Sequence, residues 1–234
     1  MKNKIIGISG LAGDGKDSLC NMLRVLFEGS GYAFERMALA DELKEECREA
    51  LMAMYNINPL SCSRDEKATI RDFLVFYGKV KREESKGTHW VKKLKKKIAT
   101  LPKIELDRII CIPDIRYAQY ENDEAAWIKK NNGILIYVKK YQLEEAFTFK
   151  KSYSIPVNNQ EATHTPKLEA LADFVIEWQD TFPVAPENSH FSRESVIELF
   201  ILIRDLLLLD SPKETKRLSK SQKTRKNIEK LKKI

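Results

Sequence analysis

Residues 5–18 read Ile-Ile-Gly-Ile-Ser-Gly-Leu-Ala-Gly-Asp-Gly-Lys-Asp-Ser, and this stretch carries the strongest structural signal in the chain. The apolar run Ile5–Ile8 predicts a buried strand, and Gly10–Gly15 predicts a tight turn. Leu19 and Leu23 then recur at helical spacing. A strand, a glycine-rich turn and an amphipathic helix in this order are the setting of a phosphate-binding P-loop.

The chemistry of this loop predicts a site for a nucleoside triphosphate, ATP. Glycines let successive backbone N–H groups point at phosphate oxygens, Lys16 reaches the β- and γ-phosphates, and the helix presents its positive dipole end. A chance glycine-rich turn is the alternative, and the agreement of strand, loop and helix argues against it. We expect the binding residues to be Gly10, Leu11, Ala12, Gly13, Asp14, Gly15, Lys16, Asp17 and Ser18.

A second candidate group follows the apolar run Arg108–Ile112. Asp114 is expected at the end of a buried strand, where a P-loop protein places a carboxylate near Mg²⁺. Arg116, two residues later, is expected to point toward the phosphates. The alternative for Asp-x-Arg is a turn with a local ion pair. With a P-loop in the same chain, we favour a site in which Asp17, Ser18 and Asp114 hold Mg²⁺ directly or through water.

Transfer of a phosphoryl group to a second anion needs positive charge on both phosphates. Arginine suits this task because its planar fork binds phosphate through two parallel hydrogen bonds. The candidates are Arg71, Arg82 and Arg116. Lys79, Lys81 and Arg82 follow Gly78, so the pattern predicts that they lie in a mobile basic loop.

The apolar pattern predicts an α/β protein with a three-layer P-loop NTPase fold, a mostly parallel sheet with helices on both faces, and a helical C-terminal extension. Residues 1–181 form the predicted main domain, with insertions at about 55–100 and 139–165. The segment 182–210 is a predicted helix and 211–234 a flexible basic tail. Within the main domain, Asp41 is the predicted N-cap of a helix. The basic stretch Lys139–His164 is the candidate lid over the site.

The charge of the chain is unevenly distributed. The net charge is +7, but residues 79–103 and 213–234 each hold ten Lys/Arg and two Glu. We interpret Lys92–Lys97 as the solvent face of an amphipathic helix, and the tail as a solubilising element. A contact between the tail and nucleic acid stays open but is not favoured.

The four widely spaced cysteines, without a CxxC pair, indicate a reduced cytoplasmic protein with no zinc site. No secretory signal and no run long enough to span a membrane is predicted. His164 lies in a polar segment predicted to be a loop, and by itself it suggests no role.

These residues carry a resemblance to the phage-type deoxynucleoside monophosphate kinases. Gly15-Lys16-Asp17-Ser18 departs from the general Gly-Lys-Ser/Thr pattern and resembles that family, as does Pro113-Asp114-Ile115-Arg116. Weaker similarities link other segments of residues 4–181 to the family: Leu39–Lys44, with Glu42 in place of a proline, Phe73–Gly78 with Arg82 and Trp90-Val91 downstream, and His164-Thr165. Lys79 and Lys167 stand where the family tends to have threonine and glutamate.

The resemblance implies a kinase that transfers the γ-phosphoryl group of ATP to a (deoxy)nucleoside monophosphate, with Mg²⁺. Lys16, Asp114, Arg116 and Arg82 would be catalytic. The substrate would bind to Lys44, Arg71, Arg82, Trp90, Arg116 and His164. Either Glu121 or Glu124 would take the family's glutamate position. The family implies a cytoplasmic location (that of the host if the chain is phage-encoded), and a homodimer stays open.

Two alternatives remain at this stage. The first is a P-loop kinase of another phosphorylated small molecule, similar to the kinases of phosphomevalonate or dephospho-coenzyme A. The second is an ATP-binding, nucleic-acid-associated protein that uses the basic tail as its anchor.

Overall fold

The protein is described here by a computed structural model in which residues 3–143, 150–179 and 193–209 are placed. Its helices and strands follow in chain order: β1 (Asn3–Gly10), α1 (Lys16–Gly29), β2 (Ala33–Arg36), α2 (Leu39–Tyr55), α3 (Arg64–Glu84), α4 (Thr88–Ala99), β3 (Arg108–Ile115), α5 (Glu124–Lys130), β4 (Ile134–Leu143), β5 (Lys151–Tyr153), α6 (Asn159–Leu171), β6 (Phe174–Gln179) and α7 (Arg193–Leu209).

The central sheet has the order β2-β3-β1-β4, and β6 continues it on the far edge of β4. All these pairs are parallel, which confirms the predicted mostly parallel sheet. Because parallel strands end at the same edge, the segments after β1 and β3 are neighbours there. The loop after β1 is the P-loop, and Arg116 follows β3.

The short strand β5 is the antiparallel element of the sheet. Tyr141 of β4 pairs with Gln179 of β6 and with Tyr153 of β5, so these two strands lie on opposite edges of β4. Since β1 ends at Gly10, which pairs with Val138, β5 occupies the edge that β1 leaves free. The segment that follows β5 therefore runs beside the P-loop.

Two apolar layers cover the sheet, as predicted for a three-layer fold. On one face Leu23 and Phe27 of α1 pack with Phe200 of α7 against the strands. On the other face Leu94 of α4 and Ile128 of α5 pack with residues of α6. Continuous burial of both faces explains the unbroken apolar runs 109–112 in β3 and 134–138 in β4. A third cluster, around Leu51 and Ile70, joins α2 to α3.

Three local expectations were wrong. Helix α3 continues past Gly78 to Glu84, so Lys79, Lys81 and Arg82 are helical and do not form a loop. A glycine inside a helix costs only about 1 kcal/mol relative to alanine, which tertiary packing overrides. Asp41 lies in the first turn of α2, whose N-cap position is Ala38. His164 lies within α6, because Asn158 caps this polar helix and its side chain accepts a hydrogen bond from the Glu161 N–H.

Several expectations concern residues outside the described ranges. Helix α7 (Arg193–Leu209) agrees with most of the predicted C-terminal helix, while residues 182–192 and the tail 211–234 are not described. The candidate lid comprises the end of β4, β5 and the start of α6, and residues 144–149 between them lie outside the described part. In the described part, no helix combines the length and apolar character that crossing a membrane requires.

Candidate active site

The P-loop runs from Gly10 into α1 with a backbone that its glycines make possible. Gly10, Gly13 and Gly15 have φ angles of 146°, 84° and 83°. L side chains rarely adopt such angles, so these positions favour glycine. A Cβ at Gly10 would also lie 2.6 Å from the carbonyl oxygen of Val138. The loop is thereby held against β4, with the N-terminus of α1 directly after it.

Lys16 is folded back onto its own loop. Its Nζ donates hydrogen bonds to the carbonyl oxygens of Gly10 (2.9 Å) and Leu11 (2.6 Å), and the residue is 8% exposed. Burial, followed by the nearby Arg116 guanidinium, lowers the pKa of the Lys16 ammonium. A phosphate group offers this ammonium stronger, charge-assisted acceptors than the two carbonyls.

Asp14 braces the loop, a role that the sequence did not predict. Its Oδ2 accepts a hydrogen bond from the Leu11 N–H (3.0 Å), and its backbone carbonyl accepts one from the Trp178 indole (2.7 Å). The carboxyl is buried, and burial raises its pKa, while Ser154, the Leu11 N–H and the Lys16 charge oppose that rise. Through its backbone carbonyl, Asp14 links the loop to β6.

Asp17 lies in the first turn of α1 and faces solvent, with its side chain 70% exposed. Arg36, at the end of β2, donates hydrogen bonds to Asp17 Oδ1 from Nη2 (2.8 Å) and to Asp41 Oδ2 from Nη1 (3.3 Å). Ser18 is half-buried next to Asp17. The two side chains present oxygen atoms at the helix N-terminus, and oxygen is the ligand type that Mg²⁺ prefers.

Asp114 lies on β3, as predicted, but both of its carboxylate oxygens have partners. Oδ1 accepts the Leu39 N–H (2.9 Å) and Oδ2 the Ala40 N–H (2.7 Å), so this side chain caps the N-terminus of α2. It performs the capping that the sequence assigned to Asp41. Each oxygen keeps a lone pair that a metal-bound water can use. Among the described residues, no group of three or more His, Cys, Asp or Glu side chains is arranged to hold a metal by itself.

Arg116 follows β3 and is 46% exposed. Its Nη1 donates a hydrogen bond to Glu161 Oε1 of α6 at 3.0 Å. The Arg116 charge lowers the pKa of the Lys16 ammonium. Arg116 and Lys16 follow the adjacent parallel strands β3 and β1, and the contact of Arg116 with the phosphates stays a prediction.

Glu124 and Glu121 lie in different environments. Glu121 is exposed and pairs with Lys130, whereas Glu124 is buried and its Oε2 accepts the backbone N–H groups of Arg116 (2.7 Å) and Tyr117 (3.2 Å). Burial raises the pKa of Glu124 to about 8, against the opposing effect of the Arg116 N–H. Of the two glutamates, Glu124 is the one that shapes the backbone at the site.

Arg82 and His164 meet around one aromatic ring. The Arg82 guanidinium lies 3.8 Å from the centroid of the Tyr117 ring, and the His164 ring contacts the same ring edge-on at 5.0 Å. Both residues are 3% exposed. Arg82 Nη2 donates to Gln119 Oε1 at 2.7 Å.

Three nitrogens of this cluster have no hydrogen-bond partner in the described part of the chain: Arg82 Nε, Arg82 Nη1 and His164 Nδ1. Burial, and then the Arg82 charge, lower the pKa of His164 and favour its neutral form. Buried polar atoms without partners are costly, and these three nitrogens are closed off from solvent.

The other predicted substrate residues lie elsewhere. Trp90 is buried in the core beneath the sheet, where its indole donates to the Gly78 carbonyl at 3.4 Å. Lys44 forms an ion pair with Asp41 at 3.7 Å. Arg71 is exposed on α3, eleven residues before Arg82, which corresponds to roughly 16 Å along the helix. No described contact brings these three side chains to Lys16 or Arg116.

Comparison with known proteins gives matches to solved structures alone. No family model and no curated protein sequence matches the chain. Three similar structures cover most of it. APS kinase from Mycobacterium tuberculosis is 13% identical with a TM-score of 0.35, over 88% of this chain and 97% of that chain.

Protein TT1252 from Thermus thermophilus is 19% identical with a TM-score of 0.42, over 90% of this chain and 100% of that chain. Thymidylate kinase from Ehrlichia chaffeensis is 13% identical with a TM-score of 0.34, over 88% of this chain and 100% of that chain. Likenesses at this level carry no information about the substrate of this chain.

Proposed function

We propose that this protein is an ATP-dependent phosphotransferase that moves the γ-phosphoryl group of ATP to a small phosphorylated acceptor. The supporting observation is that Lys16, at the start of α1, and Arg116, after β3, follow adjacent parallel strands at one edge of the sheet. A P-loop alone binds a polyphosphate. An arginine beside its lysine adds positive charge where a transferred phosphoryl group develops negative charge.

On the donor side, the N–H groups of the loop and the N-terminus of α1 would bind the phosphates. Lys16 would exchange the carbonyls of Gly10 and Leu11 for phosphate oxygens. Asp17 and Ser18 fit a Mg²⁺ ion that travels with ATP, and Asp114 can contact its water shell. When bound, this ion neutralises charge on the β- and γ-phosphates.

For the acceptor, we propose a (deoxy)nucleoside monophosphate. Its phosphate oxygen is already ionised at neutral pH, so no strong general base is required, and repulsion between the two anions is the main obstacle. Arg116 is exposed enough to contact a phosphate. A monophosphate acceptor also agrees with the sequence resemblance to phage-type deoxynucleoside monophosphate kinases.

The experiment that tests this proposal is an acceptor panel with γ-labelled ATP. We expect label in a nucleoside diphosphate when the four deoxynucleoside and four ribonucleoside monophosphates are offered. Transfer to phosphomevalonate or dephospho-coenzyme A would instead identify a different small-molecule kinase. ATP turnover that DNA stimulates, without transfer to any small acceptor, would contradict the proposal and favour a nucleic-acid-associated protein.

The role of Arg116 is tested by Arg116→Ala. Because the loop and Lys16 hold most of the donor, we expect transfer to fall by about a hundredfold or more while ATP affinity falls by no more than several-fold. Isothermal titration calorimetry measures the affinity, and the labelled assay measures the rate. Arg48→Ala is the matched control, since Arg48 pairs with Glu45 on the exposed surface of α2. Equal losses of affinity and rate would make Arg116 a binding residue only.

A further inference from the structure

Glu161 of α6 is the partner that holds the Arg116 guanidinium. Its Oε1 accepts the hydrogen bond from Arg116 Nη1 at 3.0 Å. The Glu161 side chain is 9% exposed, against 46% for Arg116, so the carboxylate is the fixed member of the pair. Charge-assisted hydrogen bonds of this kind are roughly twice as strong as neutral ones.

Two further hydrogen bonds and the dipole of α6 hold Glu161 in place. Its Oε2 accepts the Val157 N–H at 3.3 Å, and its own N–H donates to the capping side chain of Asn158 at 2.9 Å. It also lies in the first turn of α6, where the helix dipole favours a negative charge. Glu161 is therefore fixed by a helix terminus and not by a mobile surface segment.

The hydrogen bond uses only part of the Arg116 fork. A guanidinium has five N–H donors in a rigid plane, and fixing one nitrogen orients the others. Within the described residues, neither Nε nor Nη2 of Arg116 donates a hydrogen bond. Those two nitrogens form one edge of the fork, which is the edge that binds a phosphate through two parallel bonds.

Glu161 also balances the two cations of the site. Arg116 lowers the pKa of Lys16, whereas the charges of Asp14 and Glu161 act in the opposite direction. Without Glu161, two neighbouring cations would repel each other in a partly buried site, and Arg116 would be free to turn toward solvent.

We propose that Glu161 is a positioning residue for phosphoryl transfer: it fixes the Arg116 guanidinium so that its free edge faces the γ-phosphate of the nucleotide bound at Lys16. This inference rests on the proposed function. It makes the first turn of α6 part of the transfer site, although Glu161 itself does not contact the substrate.

The test compares Glu161→Gln, which keeps the size of the side chain and removes its charge, with Glu161→Asp, which keeps the charge. Glu169→Gln is the matched control, because Glu169 lies on the same helix and pairs with Lys139 at 2.9 Å. For Glu161→Gln we expect kcat to fall by about tenfold to a hundredfold, with ADP affinity within about twofold of the unaltered protein. Glu161→Asp should recover part of the rate, and Glu169→Gln should retain all of it.

A double-mutant cycle with Arg116→Ala separates positioning from a structural role. If Glu161 acts through Arg116, Glu161→Gln should have almost no further effect on kcat in the Arg116→Ala background. The proposal is wrong if the two losses multiply, if kcat of Glu161→Gln is unchanged, or if Glu169→Gln is equally impaired. Thermal melts of all the variants show whether any loss comes from unfolding.

Binding measurements keep this test independent of the acceptor. Calorimetry measures the affinity for a non-hydrolysable ATP analogue, which has a γ-phosphate, and for ADP, which has none. The difference between the two affinities shows whether Glu161 and Arg116 are coupled through the γ-phosphate. We expect Glu161→Gln to lower the affinity for the analogue several-fold and the affinity for ADP hardly at all. This difference should vanish in the Arg116→Ala background. If no acceptor is phosphorylated, the proposed function fails while this coupling is still measured. An equal effect on both ligands overturns the inference.

Discussion

In the part of the site proposed to bind ATP, single side chains determine the binding, and Lys16 is the clearest example. Its ammonium is held by two carbonyls of its own loop, so it is poised beside the space that phosphates would occupy. Its role is predicted from the motif, because a compact ammonium on a flexible side chain after the glycine turn can reach the β- and γ-phosphates.

The first prediction is that Lys16→Ala lowers turnover by about a hundredfold or more, because an electrostatic stabiliser of the transferring group is lost. A labelled-ATP assay under saturating acceptor measures it. Lys95→Ala, at an exposed position on α4, is the control and should keep full activity. Near-normal turnover of Lys16→Ala would show that the P-loop lysine takes no part in phosphoryl transfer.

Glu124 provides a prediction about pH, because its pKa of about 8 in the folded protein lies above the usual value of about 4.3 for an unfolded chain. Between these two values the folded state binds more protons than the unfolded state. The contribution of Glu124 to stability is therefore greatest at low pH and falls as the pH rises toward about 8.

Urea denaturation at a series of pH values measures this effect. Glu124→Gln should flatten the decline in the free energy of unfolding between about pH 5 and pH 8. Glu121→Gln is the control, because Glu121 is exposed. An unchanged pH profile in Glu124→Gln would show that Glu124 is not protonated in the folded protein.

At the scale of helices and strands, side chains from one element fix the ends of another. Asp114 of β3 caps α2. Asp14 of the P-loop accepts hydrogen bonds from the Leu11 N–H and, through its backbone carbonyl, from the Trp178 indole of β6. Glu161 of α6 accepts a hydrogen bond from Arg116, which follows β3. These contacts join the ends of β1, β3 and β6 into one site. None of them is local in sequence, except that between Asp14 and Leu11.

Asp114→Ala is expected to destabilise the protein by about 1–2 kcal/mol, because two N–H groups at the start of α2 lose their acceptor. The midpoint of urea unfolding measures the change. Asp65→Ala, at an exposed position in the first turn of α3, is the control with a smaller expected effect. No difference between the two variants would mean that the cap contributes nothing to stability.

For the whole molecule, the uneven distribution of charge raises the question of whether the basic tail contributes to the activity. Residues 211–234 lie outside the described part, so the prediction for them comes from sequence. We expect deletion of these residues to leave phosphoryl transfer unchanged, since the residues proposed for the reaction lie between Gly10 and His164. Transfer rates of the full and shortened chains, each with and without added DNA, measure this. Loss of transfer on deletion would favour a nucleic-acid-associated role.

The sequence predicted the layered fold and the glycine-rich loop after β1 because both depend on local patterns. Apolar runs of strand length marked β1, β3 and β4, and the glycine spacing marked the P-loop. The acceptor side was predicted less well. Arg82 and His164 were assigned to loops because Gly78 and a polar run resemble breaks, whereas packing of α3 and capping of α6 keep both residues helical.

By itself the sequence therefore determined the mostly parallel α/β sheet and the loop after β1, since strand burial and glycine geometry are encoded within a few residues. The tertiary structure alone decided that Asp114 caps α2, that Glu124 and not Glu121 is buried at the site, and that Glu161 holds Arg116. Each of these contacts joins groups whose approach depends on how the helices pack around the sheet. Such an approach is a property of the whole fold and leaves no periodic signal in the chain.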